Sequence, residues 1–190
     1  MKMKFILLTF LLLFSRGCDF YSTSLWFFQE GGMEGERNPL TYFFGVGWTG
    51  LILSNSIIVV MIIGLLYYFY FRYKRPGHFS PEPRNYQDLA SLQYFEQPGR
   101  FYQIFFRMPK NRNVLYAHLG YVLTIGLIVG SFLATFHNIS QYYSFAFYNQ
   151  FRQIVIRPLF VIYGLIFLTI ILTYRGLLLS EYRKYLQGIS

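Results

Sequence analysis

Arg16 and Asp19 are set three residues apart in an otherwise apolar N-terminal run, with Thr23 one turn further on. At bilayer depth a charged side chain costs a few kcal/mol or more, so each of the two must face protein or water and find a partner. On a helix the i, i+3 spacing lets the pair neutralise each other. Asn55 stands nine residues inside the second apolar run, and Asp19 lies nine residues from the far end of the first, so the two come level. A structural lock between the first two helices accounts for Arg16, Asp19, Thr23 and Asn55 together. An ion or proton path through the same residues needs a continuous ladder of polar groups, and the later runs contribute no charge at mid-depth.

His118 and His137 sit near opposite ends of the third apolar run, nineteen residues apart. At about 1.5 Å per helical residue that is about 28 Å, too far for both to hold one haem. Each could serve a separate haem with a partner's histidine, or make ordinary interface hydrogen bonds. Gly126, Gly130 and Ala134 repeat every fourth residue on the same run, a spacing that lets helix backbones approach closely in lipid. That face suits either a partner subunit or a neighbouring helix of the same chain. Glu30, Glu34 and Glu36 stand among Gly31, Gly32 and Gly35; a cation held there would be held weakly, and a solvated acidic loop is the simpler reading. The sequence offers no HExxH, Cys/His cluster, glycine-rich phosphate loop or catalytic triad, so no catalytic residue, metal ligand or cofactor is assigned beyond structural lipid.

The elements that position these residues follow from composition. The chain is 54% apolar and 22% aromatic but only 13% charged, against about 25% charged in soluble domains. Single Cys18 excludes a disulfide scaffold. The expected fold is therefore all-α, a polytopic transmembrane bundle of four spans over about residues 5–28, 46–71, 114–136 and 154–174. The first span has a competing reading. Lys2 and Lys4, the apolar run Phe5–Phe14 and the small residues behind it resemble a cleaved signal, which would leave three spans. Arg16 is misplaced for a cleavage site, and apolar character resumes at Leu25–Phe28, which favours a retained helix.

Thirteen of the seventeen basic residues fall in segments on one side of the four-span arrangement: Lys2 and Lys4, eight from Arg72 to Arg112, then Arg175, Arg183 and Lys184. Positive charge marks the cytoplasmic or matrix side, which puts both termini there. Trp26 and Trp48 then mark the opposite headgroup level. The net charge of +9 reads as attraction to an anionic inner leaflet, with no need for nucleic acid. The inner loop 76–113 is broken by five prolines. Asn85–Phe95 fits a short helix with Leu89, Leu92 and Phe95 on one face. The aromatic, basic stretch Gly99–Met108 suits a helix lying in the membrane surface, or a segment packed on its own bundle.

Asp19, Ser22 and Thr23, followed by Gly31-Gly32, Glu34 and Asn38-Pro39, form a D-x-x-S-T, G-G-x-E, N-P pattern over about residues 16–56. It resembles an uncharacterised family of small bacterial multi-pass membrane proteins with an Asp, Thr, Gly, Glu, Asn-Pro signature. The resemblance implies a four-helix or similar bundle, a membrane helix around Asp19, and a bacterial inner membrane rather than an organellar one; it implies no activity. The role expected is a non-catalytic, structural or accessory subunit of a larger membrane protein complex, energy-transducing assemblies included. Two alternatives stay open. One is a small ion or proton channel or transporter using Arg16, Asp19 and Asn55, and the other is a haem-binding redox subunit using His118 or His137.

Overall fold

A computed structural model of the chain describes residues 2–28, 45, 47–74, 77–155 and 157–188. Among them there is no strand. Six α-helices follow in order: α1 (Lys2–Phe27), α2 (Trp48–Tyr67), α3 (Tyr86–Phe95), α4 (Arg112–Tyr142), α5 (Ala146–Ile154) and α6 (Pro158–Leu186). A π-helical turn, Tyr68–Arg72, extends α2, with the Tyr73 N–H donating to the Tyr68 carbonyl five residues back. Three of the helices are long and apolar enough to cross a membrane: α2 with its π turn, α4 and α6. Helices suit that setting because every backbone polar group is satisfied within the segment. The 26 residues of α1 reach about 39 Å, but Lys2, Lys4, Arg16 and Asp19 make it the most polar of the long four.

The long helices alternate in direction. At one end Phe5 packs edge-on against Tyr67, Tyr70 and Phe71, tying the start of α1 to the end of α2. This is called the basic end below. At the other, the tryptophan end, Phe27 stacks on Trp48 at 5.0 Å and Trp26 meets Tyr142 edge-on. The spine is α4, against which α1, α2 and α6 each pack more extensively than against one another.

Glycines set how closely helices approach that spine. A Cβ at Gly120 would lie 2.4 Å from the backbone carbon and oxygen of Leu65, so α2 and α4 touch backbone to backbone. A Cβ at Gly126 would come within 2.9 Å of Ile170 Cγ1, and one at Gly130 within 3.2 Å of Ile166 Cδ1. The face of Gly126 and Gly130 is therefore taken by α6 of the same chain and is not open to a partner. Half-buried Ala134 continues the stripe.

At the basic end, α3 closes over the ends of α4 and α6. Asn85 caps it by accepting the Asp88 N–H at 2.8 Å, and Leu89, Leu92 and Phe95 are all buried. Ala90, Tyr94 and Phe95 join Val114 and Leu178 in a small core. The stretch 99–108 forms no α-helix. It makes a single 3-10 turn, Phe101–Phe105, in which Phe101 stacks on Tyr174 and Ile104 packs on that core. Tyr102, Phe106 and Met108 stay exposed.

The fourth apolar stretch also departs from expectation. Residues up to Ile154 belong to the separate short helix α5, Val155 is extended, and α6 begins only at Pro158. Proline at a helix start has no N–H to leave unsatisfied, which makes Pro158 the natural first residue. Arg157 consequently precedes the helix as its N-cap residue, and α6 runs on past Tyr174 to Leu186.

Candidate functional site

Polar side chains inside the bundle gather at three levels along α4, and each group ties α4 to other helices. At the middle level Arg16 reaches across from α1. Its Nη1 donates to Asp19 Oδ2 at 2.5 Å and to Ser131 Oγ of α4 at 3.1 Å, and Nη2 donates to Asn55 Oδ1 of α2 at 2.5 Å. Only 9% of Arg16 is exposed. The Asn55 amide is engaged at both ends, because its Nδ2 donates to the Leu51 carbonyl at 2.8 Å. The Phe20 ring lies 5.0 Å beneath the guanidinium carbon, and Arg16 Nε is buried without a hydrogen-bond acceptor.

Arg16, Asp19 and Asn55 thus meet, and three helices are involved rather than two. Ser131 is the residue that sequence reasoning missed. A hydroxyl in an apolar run reads as neutral, and only a search for acceptors at the depth of Arg16 would have singled it out. Thr23 stands apart from this group. With Ser22 it receives the Asn138 amide one level higher, at 3.3 and 3.2 Å respectively.

That upper level, near the tryptophan end, centres on Asn138. Trp26 Nε1 donates to its carbonyl at 3.2 Å, so one α4 residue holds the last turns of α1 through both backbone and side chain. Beside it, His137 Nδ1 pairs with the Tyr148 hydroxyl of α5. Burial holds the Tyr148 phenol above its ordinary pKa, partly offset by Arg152, so it keeps its proton.

At the basic end His118 is 1% exposed and Glu181 2%. His118 Nδ1 lies 2.6 Å from the Tyr94 hydroxyl and Nε2 lies 3.0 Å from Glu181 Oε2. Gln93 Nε2 donates to the same carboxylate oxygen at 3.1 Å. Burial, then the neighbouring Tyr174 and Glu181, raises the Tyr94 pKa, so this phenol keeps its proton. At the other ring nitrogen, Nε2–H faces the Glu181 carboxylate. The cluster joins α3, α4 and α6. Both ring nitrogens of His118 are engaged, which leaves neither open to a haem iron in this arrangement; His137 Nδ1 is likewise engaged by Tyr148.

Glu181 was not legible as a buried residue, since Ser180-Glu181-Tyr182-Arg183-Lys184 reads as a solvated tail. The signal was its spacing, three and four residues past the buried Leu178 and Leu177.

The middle and basic-end groups are well separated. From His118 to Ser131 is thirteen residues of α4, about 20 Å. The buried polar side chain between them is Thr124, whose hydroxyl donates back to the Gly120 carbonyl at 2.6 Å. Chemically, the three levels can fix helix register and depth, and His118 and Glu181 can share a proton locally. Among the described residues no three of His, Cys, Asp and Glu are grouped to hold a metal ion. Glu30, Glu34 and Glu36 lie outside the described residues. Compared with known protein families, curated proteins and solved structures, the chain matches none.

Proposed function

We propose that this chain is a non-catalytic integral membrane subunit whose work is structural, spanning the bilayer four times with α1 as the first span. The observation that carries this reading is the way the polar side chains of the middle level hold one another across helices. Arg16, Asp19, Asn55 and Ser131 hold three helices together, and about 20 Å of helix separates them from the His118 level. A transport path would need polar groups spaced closely enough to hand on an ion or proton. Membership of a larger assembly is supported by α6, which packs chiefly on α4 and presents Phe160, Tyr163, Phe167 and Leu172 outward.

The concentration of lysine and arginine at one end supports an orientation with both termini on the cytoplasmic or matrix side. A bacterial inner membrane rests on the resemblance over residues 16–56. Purification of the tagged chain in mild detergent tests the subunit reading. It should elute with fixed partners in constant ratio, and a stable, lone monomer overturns the idea. Labelling of a cysteine introduced at Gln187, in a Cys18→Ser background, should proceed only after the membrane is permeabilised; labelling of intact cells reverses the orientation.

A further inference from the structure

Short connections hold α5 at the tryptophan end. Residues 143–145 join it to the end of α4, and residues 155–157 join it to the start of α6. The first joint is a tight turn. Ser144 takes a φ of +52°, the Phe145 N–H donates to the Ser140 carbonyl at 3.0 Å, and Asn149 Nδ2 donates to the Ser144 carbonyl at 3.1 Å. This turn folds α5 back along α4. The Phe147 ring stacks on Phe136 with centroids 6.1 Å apart, and Tyr148 packs edge-on against Phe136 and His137. Phe136 lies six residues before the end of α4, about 9 Å back toward the bilayer centre.

The sequence of α5 is two-sided. Phe147, Phe151 and Ile154 recur at i, i+4 and i+7 on one face, and Asn149 and Gln153 occupy the opposite one. Tyr148 is the residue that α5 buries. The apolar face is not consumed by that contact, because Phe147 remains 55% exposed and Ile154 82%. Phe132 and Phe136, one turn apart on α4, are exposed as well. The stack of Phe136 on Phe147 therefore carries the outward apolar strip of α4 onto α5 without a break.

We propose that α5 is an interfacial helix whose partner is the bilayer surface at the tryptophan end. Phe147, Phe151 and Ile154 enter the boundary between headgroups and acyl chains, while Asn149 and Gln153 face water. Lipid is favoured over a protein partner by two features: the strip continues one that α4 presents to the bilayer, and both tethers are short. The proposal rests on α4 and α6 crossing the membrane and holds whether the chain works alone or as a subunit.

The test places nitroxide labels on single cysteines in a Cys18→Ser background. The full chain is reconstituted in vesicles of phosphatidylcholine and phosphatidylglycerol, with a water-soluble nickel chelate on both sides. Labels at Phe147→Cys and Ile154→Cys should collide with oxygen in preference to the chelate, at a depth of about 5–10 Å. Labels at Asn149→Cys and Gln153→Cys should show the reverse preference. Ile154 projects clear of the bundle, so its label reports even where Phe147→Cys disturbs the stack. A label at Leu168→Cys, in the midsection of α6, reports separately on the spanning reading and should sit in lipid. Lipid at Leu168 with water on both faces of α5 overturns this proposal alone. Water at Leu168 overturns the spanning reading, and this proposal with it. Labels at 147 and 154 that are immobile and shielded from both reagents overturn the lipid assignment in favour of a covering protein.

Discussion

Replacing Arg16 by Met removes three hydrogen bonds and the cation beside Asp19, while leaving a side chain of similar length in the same apolar surroundings. The cost follows from what remains. Asp19 keeps a largely buried carboxylate inside the bundle, and truncating one partner of a buried ion pair costs about 3–5 kcal/mol. Asp19→Leu should cost a comparable amount, because the guanidinium then keeps only the neutral acceptors Asn55 and Ser131. The double variant removes both charges. Its losses include the hydrogen bonds to Asn55 and Ser131, each worth about 0.6–2 kcal/mol between membrane helices, and Asn55 retains its bond to the Leu51 carbonyl. The double variant should therefore be destabilised by about 1–4 kcal/mol, and by less than either single one. Reversible unfolding in mixed micelles, titrated with denaturing detergent, measures all four corners of the cycle. Additive single effects, or singles below about 1 kcal/mol, would refute the argument that charge compensation dominates this level of the bundle.

Gly120→Ala places a methyl group against the backbone of Leu65, which cannot rotate away, and should lower stability by about 1–3 kcal/mol in the same assay. Gly126→Ala meets only the Ile170 side chain and should cost less. Glu181→Ala takes the acceptor from both His118 and Gln93 and should loosen α3, read as faster hydrogen exchange across residues 86–95 with the middle of α4 unchanged. Tyr94 supplies a pH signature. Its pKa is raised in the folded chain above the ordinary value of about 10, so its contribution is complete below pH 10 and is lost as pH climbs past it. Tyr94→Phe should be less stable at neutral pH but decline less steeply above pH 10, measured as unfolding midpoints across that range.

The middle polar level was readable from sequence because physics leaves a charge in an apolar run few options. Arg16 and Asp19 had to be paired, and counting residues from the ends of two helices put Asn55 beside them. Ser131 escaped because a hydroxyl carries no such compulsion. Glu181 escaped because a charge near a helix end can always be assigned to water, and only its register with Leu177 and Leu178 said otherwise. The small-residue rule found Gly126 and Gly130 but not Gly120, which makes the tightest approach of the three and falls outside their four-residue spacing. The stretch 99–108 has a composition that permits a surface helix. In the structure Phe101 stacks on Tyr174 and Ile104 packs on the α3 core, while Tyr102, Phe106 and Met108 stay exposed. The break before α6 was present as Pro158, masked by apolar residues on both sides of it.

The order in which the polar levels can close is set by chain direction. Asp19 and Asn55 reach Arg16 within the first helical hairpin, so that hairpin forms with its charge already matched, and Ser131 joins when α4 follows. His118 has a different schedule. Tyr94 precedes it, but Glu181 stands 63 residues later, in the final turns of α6. During synthesis the imidazole therefore waits with one nitrogen unmet until the last helix is in place. A chain cut short before Glu181 would retain every apolar helix contact up to the cut and still expose that defect. The buried histidine thus has both ring nitrogens met only in a bundle whose last helix is complete.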